Sequence, residues 1–315
     1  MNDVAEAVRL LRAGKLVAFP TETVYGLGAD ATSVSAVRGI FVAKGRPPTN
    51  PLIAHVSNEA MAQRYAAHWP PSAQLLARQF WPGPLTLVVS KAPPIVDEAT
   101  AGRPTVGLRA PDHPLALQLL REFDGAICAP SANRSTRISP TSAQHVRDDL
   151  GDAVDLILDG GPCRVGIEST VLDLSGSAPA ILRLGAITRE QIERIIGPVS
   201  VFQGSIGMSN AALSPGQQEI HYAPKTPAFR YEGRSLDSPV PTGRIAAIVL
   251  ADSHFSGAHW HLQMPQSSEE YARRLYSALR EADQSGAEVI LIQMPPNEPQ
   301  WAAVRDRLIR ATRPI

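Results

Sequence analysis

Apolar residues recur along the first two hundred positions in two rhythms, and their succession sets out the elements of the fold. In DVAEAVRLLRA, residues 3–13, Val4, Ala7, Val8 and Leu11 fall three or four apart and share one face of a helix, capped by Asn2 or Asp3 and stopped by Gly14. KLVAF follows as a short buried strand ended by Pro20, TETVYGLGADA as a glycine-containing loop, and SVSAVRGIFVAK as a second helix stopped by Gly45. The pattern then predicts strand LIAHV, two helices around 58–80, strands LTLVVS and TVGLRA, helix HPLALQLLREF and strand AICAP. A helix near 141–150 precedes strands LILD, TVLDL and AILRL, and TREQIERIIG closes the series with a capping box from Thr188 to Gln191 and a stop at Gly197. Several neighbouring strands have no helix between them, so the fold class is mixed α/β (α+β) rather than a regular doubly wound sheet.

From about 199 to 228 the rhythm vanishes into a run rich in Gly, Ser, Pro and Gln, a length that is usually disordered or functional. Beyond it RIAAIVL, SSEEYARRLYSALREADQ, EVILIQM and PQWAAVRDRLIRA predict a β-α-β-α pattern, with Tyr271, Leu275, Ala278, Leu279 and Ala282 on one helix face. This is a second, small Rossmann-like domain without the G-x-G-x-x-G turn that binds dinucleotides. The expected organisation is therefore a domain over 1–198, a linker over 199–228 and a small domain over 229–315.

Composition narrows the chemistry. With 315 residues, 44% of them hydrophobic, the chain can bury a sizeable core, and its thirty basic and thirty acidic residues cancel. Any anion it takes is bound locally. Lysine occurs only at Lys15, Lys44, Lys91 and Lys225, so Lys44 beside Arg46 stands out in a chain that otherwise uses arginine. Cys128 and Cys163 make neither a disulfide framework nor a metal clip and read as small buried hydrophobes. The eight histidines show no ligand spacing. No signal-like start and no apolar run near the roughly 18 residues of a membrane span is visible, which leaves the cytoplasm as the default compartment.

Five polar clusters lie in loops beyond strand or helix ends, where α/β sites gather. PTETVYGLG sets Thr21 and Thr23 around Glu22, and its glycines allow close backbone approach. K-x-R at 44–46 offers an ammonium and a guanidinium to one anion at a helix end. His55 in LIAHV faces inward with Ile53. TVGLRAP offers Thr105 and Arg109, and APSAN offers Ser131 and Asn133. Ser139, Ser169 in GIEST and Arg183 in ILRLG complete the set. Each alone reads as an ordinary turn, cap or core residue; together they supply cations, hydroxyls and amides. G-x-S-x-G, paired carboxylates and a P-loop are absent from the sequence. That inventory suits phosphoryl or nucleotidyl transfer driven by positioning and charge, with the substrates reacting with each other.

In this order, PTETVYGLG, KGRPPTNPLIAHV, PGPLTLVV, VGLRAP, APSAN, GIESTVLDL and ILRLG resemble the threonylcarbamoyl-AMP synthase family, the YrdC-like fold. SPG followed by HYAPKTP looks like the interdomain linker of its longer, two-domain members. The resemblance implies a YrdC-like mixed-sheet catalytic domain, a linker that folds over the active site and a Rossmann-like C-terminal domain. It implies an enzyme that turns L-threonine, bicarbonate and ATP into threonylcarbamoyl-adenylate and pyrophosphate. The product would pass to a downstream threonylcarbamoyl-transferase complex for tRNA modification, with transient tRNA contact and no membrane association.

By the same resemblance Lys44, Arg46, Ser131 and Asn133 surround the phosphates and the carbamate. Thr23, His55, Arg109 and Ser169 hold threonine, with Arg109 a fork for its carboxylate. Arg46, Asn50, Thr105, Ser131, Ser139, Arg183 and Tyr222 contact ATP, and Mg2+ accompanies the triphosphate through ligands the sequence does not identify. The chain departs from relatives at Ala129, where some carry threonine, and at Gln217 and Ile220, where methionine and arginine are common. Two rivals remain at this level. One is an RNA-binding or regulatory module of the same fold, against which stand the 19 basic and 19 acidic residues of 1–198. The other is a serine hydrolase using Ser131 with His55, which lacks a nucleophile elbow.

Overall fold

The strand-rich first two hundred residues build one ten-stranded sheet, seen in a computed structural model that describes residues 3–202, 221–233, 242–251, 253 and 255–315. The chain divides into two units: unit 1 is Met1–Ser135, Pro140–Arg164 and Glu168–Glu219, and unit 2 is Thr136–Ser139, Val165–Ile167 and Ile220–Ile315. Unit 2 thus takes two short segments from inside the first sequence stretch. Most of the expected linker, 203–220, lies outside the described residues, Gln217 and Ile220 with it.

The strands of unit 1 are β1 (Val17–Phe19), β2 (Gly26–Asp30), β3 (Ile53–His55), β4 (Leu85–Ser90), β5 (Thr105–Arg109), β6 (Ile127–Cys128), β7 (Leu156–Ile157), β8 (Thr170–Asp173), β9 (Ala180–Arg183) and β10 (Ser200–Val201). They lie in the order β10-β9-β8-β4-β5-β3-β6-β2-β1-β7. Parallel and antiparallel neighbours mix, as with parallel β3–β5 beside antiparallel β3–β6. The helices are α1 (Asp3–Arg12), α2 (Val34–Lys44), α3 (Glu59–Gln63), α4 (Pro71–Phe80), α5 (Asp97–Thr100), α6 (Pro114–Phe123), α7 (Ala143–Leu150) and α8 (Arg189–Ile196).

Strand alternation sorts the sheet into two unlike faces. Ala18, Leu27, Ala54, Leu87, Leu108, Cys128, Leu172 and Ile181 point to one side and pack with α2, α4, α7 and α8 in the main core. On the other side Val17, Phe19, Ile127 and Ala129 pack under α1 and α6. Farther along that face, Ile53, Val88, Val171 and Leu182 form only a small apolar cluster. The same period-two count puts His55, Thr86, Thr105, Gly107 and Arg109 beside them. A stretch of one sheet face that mixes polar with aliphatic side chains results.

One expectation fails instructively. Residues 26–30, read as a glycine loop, form β2, paired with both β1 and β6. A Cβ on Gly28 would stand 2.9 Å from Ile127 Cγ2 and Phe19 Cε1 and 3.0 Å from the Val17 carbonyl, so only glycine fits between those strands. The cap signals hold: Ser33 accepts from Ala36 N, Gly45 ends α2 at φ 61°, and Thr188 with Gln191 closes both bonds of the capping box.

In unit 2, β11 (Ala228–Tyr231), β12 (Ile245–Leu250), β13 (Trp260–Met264), β14 (Val289–Gln293) and β15 (Arg313–Pro314) form a sheet in the order β13-β12-β14-β11-β15, all parallel. α9 (Ser268–Gln284) links β13 to β14, and α10 (Ala302–Ala311) links β14 to β15. The α9 face of Tyr271, Leu275, Ala278, Leu279 and Ala282 is buried as its spacing predicts. Strand β13 is missing from the sequence reading although Trp260, Leu262 and Met264 alternate with His261 and Gln263; it is short and mostly half-exposed, at the edge of the sheet beside β12. Among the described residues no helix is long and apolar enough to cross a membrane.

Candidate active site

Apart from Ser139 and Tyr222, the polar residues singled out in the sequence gather in unit 1 around the β3–β5 pair and the loops beside it. His55 pairs with Arg109 across β3 and β5, both buried. Arg109 donates from Nε to the Gly83 carbonyl at 3.3 Å and from Nη2 to Thr23 Oγ1 at 2.9 Å. The same Nη2 stands 2.8 Å from Glu22 Oε1, a close ion pair not aligned as a hydrogen bond. Among the described residues Nη1 alone meets no partner, so Arg109 offers one end of its guanidinium rather than an open two-nitrogen fork. Its other side is already committed.

Protons can be assigned at Thr23. Thr21 Oγ1 lies 2.6 Å from the Val24 carbonyl, which cannot donate, so Thr21 spends its hydrogen there. In the 2.8 Å contact between Thr21 Oγ1 and Thr23 Oγ1 the donor is therefore Thr23. With Arg109 donating to it as well, Thr23 keeps one acceptor position for a ligand N–H or O–H. His55 stacks edge-on against Phe19 with centroids 5.8 Å apart, and no described residue hydrogen-bonds its buried Nδ1. Burial first, then the Arg109 charge, lower its pKa to about 3. It is a neutral imidazole near pH 7.

Lys44 departs from expectation. At the last position of α2 the sequence suggests a solvated cation, yet the side chain is 2% exposed. Nζ donates to the Ser131 carbonyl at 2.6 Å and to the Asn133 carbonyl, while the Lys44 carbonyl accepts from Ser135 N at 2.9 Å. The carbonyls of the S-x-N loop need donors, and Lys44 supplies them. Burial, then the Arg46 charge, hold its ammonium well below the usual lysine range, with Asp149 opposing. Arg46 is likewise buried, donating from Nη2 to the Pro51 carbonyl at 3.1 Å across the turn that carries buried Asn50.

The Ser131 loop is strapped to the Thr23 loop by Leu27 N to the Pro130 carbonyl and Ala132 N to the Tyr25 carbonyl, both 2.8 Å. Ala129 packs in the α1–α6 cluster, its Cβ 3.0 Å from where a Gly26 Cβ would lie. At the far edge Ser169 Oγ shares a 2.8 Å hydrogen bond with Thr86 Oγ1 and accepts from Arg183 Nη2 at 3.1 Å. Thr105 lines a small recess of about 20 Å³ with Pro51, Ile53, Thr86, Gly107 and Val171. A Cβ on Gly107 would intrude to 3.2 Å from Thr86 Cγ2. Ser139 and Tyr222 belong to unit 2. There Tyr222, at φ 64°, lies 5.2 Å beneath the Arg307 guanidinium and stacks on Tyr276.

Sequence reasoning passed over Glu22 and Thr86 as site residues. Glu22 was visible between two threonines, but nothing in TET shows that the strand carrying Arg109 returns beside it. Cys128 and Cys163 are free and buried, and burial raises the Cys163 thiol to about 12, so neither is a ready nucleophile. Among the described residues no group of three His, Cys, Asp or Glu side chains could hold a metal.

Comparison with known proteins gives the family. The Sua5/YciO/YrdC family, described as "Telomere recombination", matches residues 9–185, and the "Threonylcarbamoyl-AMP synthase, C-terminal domain" family matches residues 187–312. The chain is 40% identical over 319 residues to threonylcarbamoyl-AMP synthase of Bacillus subtilis, covering 98% of this chain and 92% of that one. It is 40% identical over 317 residues to the Pyrococcus abyssi threonylcarbamoyl-AMP synthase, covering 97% and 93%. The crystal structure of Pyrococcus abyssi Sua5 complexed with L-threonine superposes with a TM-score of 0.89 at 36% identity, covering 99% of this chain and 96% of that one.

Proposed function

Since the chain belongs to the threonylcarbamoyl-AMP synthase family, we propose that unit 1 binds L-threonine around Arg109 and ATP around Arg46, and lets the two react. The reaction of the family joins L-threonine, bicarbonate and ATP into threonylcarbamoyl-AMP and releases pyrophosphate. The threonine amine first adds to CO2 with loss of a proton, or to bicarbonate with loss of water, to give a carbamate. A carbamate oxygen then attacks the α-phosphorus of ATP, and the bond to pyrophosphate breaks.

The observation that carries this reading is the Arg109–Thr23–His55 group, held rigid by its own bonds yet with Nη1, one Thr23 acceptor position and the His55 Nδ1 uncommitted. Arg109 Nη1 meets the threonine carboxylate, and Thr23 accepts a hydrogen from its nitrogen or hydroxyl. Neutral His55 adds a hydrogen bond without charge, and Ser169 closes the threonine side. Arg46, Asn50, Thr105, Ser131 and Arg183 take the nucleotide. Asn133 and Ser131 line the reacting carbamate, on a loop whose place Lys44 fixes. With cations and amides prearranged, charge developing on the phosphate is met without reorganisation.

Among the described residues no carboxylate cage for Mg2+ is formed, and Glu22, the carboxylate of this group, is engaged by Arg109 and Asp112 N. Magnesium would enter on the triphosphate, as part of the substrate. Pyrophosphate release measured with each substrate omitted in turn tests the reading. Release is expected only when ATP, L-threonine and bicarbonate are together; release that ignores threonine overturns it. Tight RNA binding by the protein alone, with no such release, would favour the RNA-module alternative.

A further inference from the structure

We propose that Glu22 is a positioning residue that fixes the Arg109 guanidinium for the substrate carboxylate. This rests on the reading that Arg109 binds threonine. Both side chains are buried, at 4% and 0% exposed, with Nη2 of Arg109 2.8 Å from Oε1 of Glu22. The second oxygen, Oε2, accepts from Asp112 N at 3.0 Å, three residues past Arg109 on the same chain. Glu22 therefore grips Arg109 and the segment that follows it, and through its neighbour Thr23 it grips the guanidinium from a second direction.

Replacing a buried pair with apolar groups is often neutral for stability, so stability alone gives weak reason for a carboxylate here. What Glu22 supplies is a direction. With Nε on the Gly83 carbonyl and Nη2 between Thr23 and Glu22, rotation of the guanidinium plane breaks one contact or another. Nη1 is left as the end that faces a ligand. The pair is neutral overall, so it attracts a carboxylate through Nη1 hydrogens at short range rather than through a net field. A glutamine offers one oxygen for two donors, Asp112 N and Arg109, and whichever loses shifts the guanidinium.

Steady-state kinetics of Glu22→Gln in the full chain tests the assignment. The KM for L-threonine is expected to rise at least about tenfold, because displacement near 1 Å is costly for a positioned group. The KM for ATP is expected to stay within about twofold, a split that a general loss of structure would not produce. On an Arg109→Ala background, Glu22→Gln should add nothing further. A Glu22→Gln protein that is folded by circular dichroism and keeps the parental KM for threonine overturns the proposal, as does an equal, additive loss on the Arg109→Ala background. Should Glu22→Gln not fold, Glu22→Asp keeps the charge but withdraws it by one methylene. The same rise in KM is expected, and a parental value again overturns the assignment. If Arg109→Ala itself leaves the KM for threonine unchanged, the underlying reading of Arg109 fails, and Glu22 with it.

Discussion

Lys44 shows at the residue scale how a sequence signal can carry a wrong environment. K-x-R marked an anion site on an exposed helix end, yet the ammonium is sealed against two backbone carbonyls of the S-x-N loop. Lys44→Ala is therefore expected to cost stability as well as turnover. Loss of the Nζ donations costs about 1–3 kcal/mol, since the Ser131 carbonyl still accepts from Asn133 N at 3.0 Å, and Tm falls by roughly 2–12 °C for a unit of this size. Thermal melts beside pyrophosphate release check this; an unchanged Tm with lost turnover would return Lys44 to a purely catalytic role.

His55 makes a second residue-scale prediction. Its folded pKa is depressed from 6.5 to about 3, so between those values the unfolded chain takes up the proton first. Stability from this site is complete above pH 6.5 and is lost as pH falls toward 3. At pH 5 the loss is about 2 kcal/mol. Urea unfolding of the parent and of His55→Gln at pH 7 and pH 5 measures it, and the variant should lose that much less on acidification. The inward face of His55 was legible from alternation with Ile53; the missing Nδ1 partner was not, because it depends on Phe19 and β6 from distant parts of the chain.

At the element scale, legibility followed burial. Strands such as LTLVVS and helices such as HPLALQLLREF announce themselves because a whole face is apolar, whereas β2 hides behind glycines and β13, though it alternates, is short and mostly half-exposed. The two sorts of glycine should respond differently. Gly28→Ala drives a Cβ into Ile127, Phe19 and the Val17 carbonyl and should destabilise by about 2–3 kcal/mol. Gly45→Ala meets nothing within 4 Å and should cost about 1–2 kcal/mol for its positive φ. Denaturant midpoints at constant m-value rank them. An equal cost would mean that β2 yields to make room.

Across the whole molecule, the sequence made the two sheets visible but not where one unit ends. Period and composition report on neighbours along the chain, and unit 2 includes Thr136–Ser139 and Val165–Ile167 from far upstream. Those pieces are held inside it: Arg280 Nη2 donates to the Ile138 carbonyl at 2.6 Å, and Ala223 N to the Thr136 carbonyl at 3.0 Å. Gly166, at φ +83°, leaves no room for a Cβ, which would stand 2.4 Å from Arg273 Cα. Arg280→Met should lower the stability of unit 2 by about 1–3 kcal/mol, the cost of a buried acceptor left unpaired. Hydrogen exchange should then quicken at Ala223 and through α9, and unchanged protection there would show that the upstream pieces are passengers.

That interleaving bears on how such a protein can be recombined. A chimera that takes everything after residue 219 from a relative would carry a C-terminal module still lacking the seven upstream residues it is built around. Ile138 and Gly166 would then have to suit a foreign α9. The exchangeable part is a set of three stretches of chain, and any lineage that swapped the C-terminal module would have had to change those loops with it.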